Sequence, residues 1–345
     1  MPVVPVLGGA ARRTVWPIVV LGGVDPGLVG SISRARFEPV TSEEARRTMA
    51  HPQPGIFALG TSAHWHLEAV LHDGVPPTAL ADVVRSLAAE RATTGGVDLV
   101  LGFGAAVWAE AGGELPEGMT AFRPIVGPDG FTVPATQGDV WAWLAGSDDG
   151  VVFDHARAVA RALASVGRVV YEQHGFAYHD SRDLTGFVDG TENPSVDEAA
   201  TVATVPDGRP GAGGSVVVVQ RWVHDLAAFD RLPVVDQEAV IGRTKVDSTE
   251  LDDDHRPEDA HISRVVVEED GHELEIFRRS TPFGSVSEHG LQFVGFSRDQ
   301  RRLDLMLARM VGADGGPRDR LTRFSTPVRS AYYFAPPLEA LVGDG

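Results

Sequence analysis

The sequence predicts an α+β fold built from two similar halves. Helix and strand patterns alternate loosely from Gly55 onward, and several predicted strands follow one another without an intervening helix. That arrangement argues against a doubly wound parallel sheet. With 345 residues, 43% of them hydrophobic, the chain is long enough to bury a large core and to form two domains.

Apolar periodicity assigns the elements of the first half. Strict alternation or a short apolar run is typical of a strand, and apolar residues three or four positions apart are typical of an amphipathic helix. These patterns predict helices over 77–91 and 152–166 and strands over 55–60, 63–71, 97–103, 139–144 and 168–178. His64 and His66 stand two apart and share one strand face, which we interpret as a surface pair.

The second half repeats the theme with fewer strands. The same patterns predict strands over 215–223, 273–279 and 291–297. Helices are predicted over 233–242 and 300–311.

Residues 1–50 differ from the rest of the chain. The segment 1–40 is rich in Gly, Pro, Val and Arg without a sustained period, and Met49 stands just before the first well-patterned strand. We expect a flexible extension or a misassigned start. A twin-arginine export signal at Arg12 and Arg13 is the alternative, but Pro17 interrupts its short apolar stretch and no convincing cleavage site follows.

Composition excludes several classes of protein. Cysteine is absent, which removes disulfides, thiolate nucleophiles, iron–sulfur clusters and a cysteine-ligated haem. The formal net charge of −18 repels phosphate backbones, so we expect no nucleic-acid partner. No apolar run is long enough to span a bilayer. The lack of cysteine fits a reducing cytoplasm.

The most informative segment is 183–194, which reads DLTGFVDGTENP. Gly186 and Gly190 allow backbone conformations that a side chain would block, and Pro194 ends any regular element. A carboxylate at Asp189, fixed on such a turn, is poorly placed to be ordinary surface charge. Asp189 bonding only its own turn is the simpler alternative.

An ordered set of segments resembles the dye-decolorising peroxidase family. Residues 186–190 match its GxxDG signature, and further matches cover roughly 55–341, in the order 220–224, 237–245, 256–261, 278–284 and 332–336. The similarity is strongest from Asp183 onward and favours the cytoplasmic B-type branch. One GxxDG is a weak signal, whereas the ordered set is specific.

The resemblance implies a fold and a cofactor. The family fold is a pair of ferredoxin-like halves, related to the dimeric α/β-barrel superfamily, with one haem b held mainly by the C-terminal half. On this chain the halves correspond to residues 51–180 and 181–341.

The resemblance also assigns the iron ligand among twelve histidines. His261 matches the proximal ligand, which donates charge to the iron. The second nitrogen of such a ligand is normally held by an acceptor, and Asp319 is the candidate. A helix-capping or exposed aspartate is the alternative for Asp319.

Three residues match the peroxide side, and a fourth matches a haem contact. Asp189 is expected to move a proton and Arg278 to stabilise negative charge, although a structural salt bridge is the ordinary role of a strand arginine. Ser280 falls where many B-type relatives carry asparagine, which leaves its contribution open. Arg243 matches a residue that pairs with a haem propionate.

The implied activity is reduction of hydrogen peroxide with oxidation of dyes, phenols or porphyrin-type reductants through a ferryl intermediate. Porphyrinogen oxidation or iron release from haem is one alternative, and a non-catalytic haem carrier is another. Glu192 and Glu273 are candidates for a Mn²⁺ site. Trp222, Tyr332 and Tyr333 are candidate electron relays, with core packing as the simpler role. Family members self-associate, and some are packed in encapsulin shells, but the segment 338–345 lacks a clear targeting pattern.

Overall fold

The computed structural model describes residues 50–90 and 96–342, without the side chains of 88–90. Its strands are β1 (Ala63–Leu71), β2 (Val97–Phe103), β3 (Ile125–Val126), β4 (Thr132–Val133), β5 (Val140–Gly146), β6 (Gly167–Phe176), β7 (Ser215–His224), β8 (Glu268–Glu269), β9 (His272–Glu273), β10 (Phe277–Arg278), β11 (Thr281–Gly284), β12 (His289–Ser297) and β13 (Ser325–Ala335). Its α-helices are α1 (Leu80–Glu90), α2 (Ala105–Glu110), α3 (Asp149–Leu163), α4 (Val196–Ala203), α5 (Leu226–Phe229), α6 (Val234–Ile241), α7 (His261–Val265), α8 (Gln300–Met310) and α9 (Leu338–Val342). Short 3-10 helices cover Pro54–Phe57, Pro77–Ala79 and Arg320–Arg323.

Eight of the strands pair into a closed antiparallel ring. The order is β12, β11, β6, β1, β5, β2, β13 and β7, and β7 pairs again with β12. Two of the strand pairings in the ring are short. β11 meets β6 with Phe283 opposite Gly175, and β13 meets β2 with Phe334 opposite Phe103. The short strand β10 runs along the same edge of β12 as β11.

Side chains alternate between the inside of this ring and its outer faces, as the strand period requires. On β5, Trp141 and Trp143 belong to the inner cluster, while their neighbours pack outward with α1 and α3. On β7, Val217 and Val219 lie in the inner cluster, and Val216 and Val218 pack with α8. Burial on both faces explains the continuous apolar runs of these strands. The even-numbered face of β7 therefore looks outward.

The predicted α+β class is confirmed, and most predicted elements are present with shifted ends. The strand predicted over 55–60 is wrong, because Pro54–Phe57 forms a 3-10 helix with Pro54 in its first turn, where the fixed φ of proline suits a helix start. Several elements were not predicted, among them α2, α4, β11 and β13.

The interpretation of His64 and His66 as a surface pair is also wrong. Their exposed fractions are 3% and 0%. They stack against the inner tryptophans, with the His66 ring 5.9 Å from Trp143 and 6.1 Å from Trp141 between centroids. Closure of the ring buries the face of β1 that an open sheet would expose.

No helix within the described ranges combines the length and apolarity needed to cross a bilayer. The extension predicted over 1–50 lies outside the described residues, apart from Ala50. The division into halves at 180/181 stays a prediction.

Candidate active site

The GxxDG segment folds into a tight loop that presents Asp189. An isolated antiparallel bridge pairs Arg182 with Val188 at the base of the loop. Gly186 and Gly190 adopt the left-handed region, at φ +86° and +82°, which glycine enters without the penalty of a Cβ. Backbone conformation therefore accounts for both glycines of the motif.

A cavity lies between this loop, the outward face of β7 and helix α8. Its empty volume is ≈ 910 Å³, including the part open to solvent. Most of its wall is apolar, formed by Phe187, Val188, Trp222, Ile241, Val265, Leu291, Phe293, Met306, Met310 and Leu321. The predicted site residues Asp189, His261 and Arg278 all line this cavity. The structure thus brings together residues that lie far apart in the sequence.

His261 is held by a buried carboxylate. It is the first residue of α7, and its Nδ1 lies 2.7 Å from Oδ2 of Asp319. Asp319 has no exposed surface, and its Oδ1 accepts a hydrogen bond from the backbone N–H of Leu321 at 2.8 Å. Asp319 therefore both caps the 3-10 helix and bonds the histidine. A proton on Nδ1 leaves the lone pair of Nε2 free for a metal.

Asp189 and Arg278 both line the cavity, and no hydrogen bond or ion pair joins their side chains. Burial raises the pKa of the Asp189 carboxyl, and the charge of Asp183 adds to the rise, while the charge of Arg278 opposes it. Nε and Nη2 of Arg278 are buried and have no hydrogen-bond partner. A base of raised pKa and free guanidinium donors thus stand on one wall.

Ser280 lies in a second, adjoining cavity. That cavity has an empty volume of ≈ 830 Å³, and Asp189 and Arg278 line it as well as the first. Ser280 lines the second cavity but not the first. Its Oγ accepts a hydrogen bond from the backbone N–H of Val294 at 3.3 Å. Asp189 and Arg278 therefore stand between the two cavities, with Ser280 on the far side.

Arg243 does not line either cavity. Its Nη2 bonds the carboxylates of Glu192 and Glu250, and its Nη1 donates to the carbonyl of Ser248 at 2.6 Å. Nε is buried without a partner. The structure thus engages this guanidinium mainly with protein carboxylates.

The remaining candidates divide between the cavity and the core. Trp222 lines the large cavity. Tyr332 and Tyr333 are buried and donate to Asp304 and Glu68, each at 2.8 Å. Glu192 is bonded to Arg243, and within the described ranges no group of three or more His, Asp or Glu side chains is placed to hold a metal ion.

A further polar array in the cavity wall was not predicted. Nε2 of His224 lies 3.2 Å from Oδ2 of Asp183, and its Nδ1 lies 2.8 Å from Oγ of Ser325. Burial alone raises the pKa of Asp183, but the charge and hydrogen bond of His224, with two hydrogen bonds from Thr185, bring it down to about 2. Asp183 is therefore a permanent anion beside Asp189.

Composition draws attention to two more residues, which contact the GxxDG loop or belong to its turn. Asn193 is the only asparagine and Lys245 the only lysine of the 345 residues. The Asn193 amide bonds the backbone of Arg278, and the Lys245 ammonium donates to Gln237 Oε1 at 2.6 Å, 5.5 Å from the Phe187 ring centroid. Asn193 lines the adjoining cavity, whereas Lys245 lines neither cavity.

The residues present fit the haem that the resemblance implies. A planar macrocycle needs an apolar slot with few polar groups, which the wall supplies. A proximal imidazole needs one free nitrogen and one held nitrogen, which His261 has. The unpartnered N–H groups of Arg278 and Arg243 are donors that a bound anionic group or oxygen ligand would satisfy.

Comparisons with known proteins agree with this geometry. Family models described as the N-terminal and C-terminal parts of the Dyp-type peroxidases match residues 74–177 and 180–340. A dye-decolorizing peroxidase of Mycolicibacterium paratuberculosis is 39% identical over 302 residues, which are 84% of this chain and 84% of the relative. One of Mycobacterium tuberculosis is 38% identical over 280 residues, 79% of this chain and 82% of the relative.

Solved structures give the same result. DyPB from Rhodococcus jostii RHA1 superposes with a TM-score of 0.79 at 35% identity, over 85% of this chain and 98% of DyPB. A DypB variant in complex with heme reaches 0.77 at 35% identity, over 82% of this chain and 95% of the variant. With both family models matched in order and this level of identity over most of its length, the chain belongs to the Dyp-type peroxidase family.

Proposed function

We propose that the chain is a haem b peroxidase that reduces hydrogen peroxide and oxidises dyes, phenols or porphyrin-type reductants. One observation carries the proposal: Asp189, Arg278 and His261 line a single apolar cavity. The name of the relatives and the heme complex of a DypB variant support the same function and cofactor.

His261 is the residue we propose to hold the iron, through Nε2. The carboxylate of Asp319 on Nδ1 fixes the ring tautomer and makes the imidazole a stronger donor. We also propose that Arg243 pairs with a haem propionate, which would compete with Glu192 and Glu250 for its guanidinium. When bound, haem supplies the iron at which peroxide is reduced by two electrons and to which a reductant later returns single electrons.

Asp189 is the proposed general base and acid. As the anion it accepts the proton of one peroxide oxygen and returns it to the other oxygen, which leaves as water. A carboxyl whose pKa is raised by burial binds that proton more readily than an exposed aspartate. Its position on the loop, directly before Gly190, keeps it facing the cavity.

Arg278 is the proposed electrostatic partner of this proton transfer. Its free Nε and Nη2 donors are suited to stabilise the charge that develops as the O–O bond breaks. Ser280 lines the adjoining cavity on the other side of this pair, where we propose that it holds the water or peroxide that approaches Asp189.

We propose a cytoplasmic location and a homo-oligomer. The absence of cysteine supports the former, because a reducing compartment makes no use of disulfides. Fractionation of cells and sedimentation of the purified protein test the two statements separately.

An absorption spectrum of the haem-loaded protein, before and after one equivalent of hydrogen peroxide, tests the function. The expected result is a Soret band that shifts on addition of peroxide and returns when a phenol or dye is added. The His261→Ala variant is expected to lose haem, whereas His289→Ala, on an exposed hairpin, is expected to retain it. An unchanged wild-type spectrum, or full haem retention in His261→Ala, contradicts the proposal.

A further inference from the structure

Asn193 makes two reciprocal hydrogen bonds with the backbone of Arg278. Its Nδ2 donates to the Arg278 carbonyl at 2.9 Å, and its Oδ1 accepts the Arg278 N–H at 2.8 Å. A side-chain amide presents the same donor and acceptor as a backbone peptide. Asn193 therefore takes the place of a neighbouring strand beside β10.

The same residue closes the loop that carries Asp189. The backbone N–H of Asn193 donates to the Gly190 carbonyl at 3.0 Å. A Cβ on Gly190 would lie 3.2 Å from Asn193 Nδ2, so the glycine makes room for the amide. Asp189 directly precedes this turn. Asn193 thus links the loop of Asp189, through its backbone, to the backbone of Arg278, through its side chain.

We infer that Asn193 is a positioning residue which holds Asp189 and Arg278 at the spacing that peroxide reduction requires. The inference rests on the proposed function. Two opposite charges in a partly dry cavity attract each other strongly, and a direct ion pair would occupy the donors that the reaction needs. Nε and Nη2 of Arg278 remain unpartnered. Other contacts must therefore keep the Arg278 guanidinium from forming an ion pair with the Asp189 carboxylate. The side chain of Asn193 fixes the backbone of Arg278, and its backbone N–H fixes the Gly190 carbonyl, so this residue opposes the collapse.

No other residue type in the chain performs this task at this position. Aspartate lacks the donor for the Arg278 carbonyl, and glutamine carries the amide one methylene further out. The single asparagine of the chain stands at this position.

The chain offers a matched control in Gln53. Its amide makes the same reciprocal pair with the backbone of Leu101, with Nε2 donating to the carbonyl and Oε1 accepting the N–H, each at 2.8 Å. Gln53 is fully buried, and its clamp joins the chain to β2, outside both cavities. Gln53→Ala therefore removes an equivalent pair of bonds, together with a third bond from Nε2 to the Pro336 carbonyl at 3.0 Å, without touching the site.

The test compares wild type, Asn193→Ala and Gln53→Ala as haem-loaded proteins in three measurements. They are the rate of reaction with hydrogen peroxide as a function of pH, the cyanide dissociation constant from a Soret titration, and the unfolding temperature. For Asn193→Ala, the inference expects a rate loss of ~10- to 100-fold. It also expects the acid limb of the rate to move down by about 1 pH unit and cyanide to bind several-fold more weakly, because Arg278 is then neutralised by Asp189. Gln53→Ala is expected to lower only the unfolding temperature.

An Asn193→Ala protein that, like Gln53→Ala, loses stability but keeps the wild-type acid limb and cyanide affinity overturns the inference. If that variant does not fold, Asn193→Ser is measured in the same way, with the same expected and contradictory results. A wild-type protein that does not react with peroxide overturns the proposed function, whereas a reactive wild type matched by its Asn193 variant overturns only the positioning role.

Discussion

Asp319 Oδ2 and His261 Nδ1 form a 2.7 Å hydrogen bond, although 58 residues separate them in the sequence. The carboxylate is wholly buried and also caps the 3-10 helix Arg320–Arg323. Asp319 thus fixes the orientation of the His261 ring and also stabilises the start of the 3-10 helix that follows it. Asp319 therefore has both of the roles considered from the sequence, because one carboxylate caps the helix and bonds the histidine.

Asp319→Asn is expected to weaken haem binding about 10- to 100-fold and to raise the reduction potential of the bound iron. An amide is a weaker acceptor than a carboxylate, so the imidazole donates less charge to the iron. Haem dissociation kinetics and a spectroelectrochemical titration measure the two effects. Asp148→Asn, which alters the N-cap of α3 instead, is the control, and equal behaviour of the two variants would contradict the role of Asp319.

Asp189→Asn is expected to slow the reaction with hydrogen peroxide by about 10²- to 10⁴-fold, the usual contribution of a general base. The haem spectrum before peroxide is expected to stay that of wild type, because Asp189 is not the iron ligand. Stopped-flow absorption measures the rate. Asp180→Asn, on an exposed turn nearby, serves as control. A full wild-type rate in Asp189→Asn would contradict the role of Asp189 and favour a reaction governed by Arg278 alone.

The rate of the peroxide reaction is expected to fall as the pH is lowered, and to do so at a pH above the ordinary pKa of an aspartate. Asp189 acts as the anion, and burial raises its pKa, so the rate is lost as the pH falls through that raised value. Asp183→Asn removes a charge that contributes to the rise, and Asp183 is ionised down to about pH 2. The acid limb of this variant should therefore lie at lower pH. An unmoved limb, or one moved upward, contradicts the coupling.

Gly190→Ala is expected to cost more stability than Gly208→Ala. Both glycines have positive φ, +82° and +78°, so each substitution carries a backbone penalty of about 1 kcal/mol or more. A Cβ at Gly208 meets nothing within 4 Å, whereas one at Gly190 approaches the Asn193 amide. Chemical denaturation measures the difference in the free energy of unfolding. Equal losses would show that the amide contact is unimportant.

The sequence contains enough information for most of the long strands, though not for β13, and for the residues of the GxxDG loop. Strand alternation follows from local pattern, and the motif glycines at 186 and 190 indicate a tight turn that presents Asp189. The predicted site residues His261, Arg278 and Asp319 came from resemblance, because nothing local distinguishes them from other histidines, arginines and aspartates of the chain.

Long-range pairing explains what was not predicted. His64 and His66 are buried because the ring closes over a face that an isolated sheet would leave exposed. β13 forms against β7 and β2, and its register shifts between Pro327 and Arg329, where the local pattern is broken. The Asn193 clamp depends on a contact across 85 residues, which no spacing within the loop reveals.

A crystal structure of the haem-loaded protein with cyanide on the iron tests the central claim most directly. We expect Nε2 of His261 to bind the iron on one face and cyanide, on the opposite face, to point toward Asp189 and Arg278. A different axial ligand, or Asp189 on the same face as His261, would contradict it.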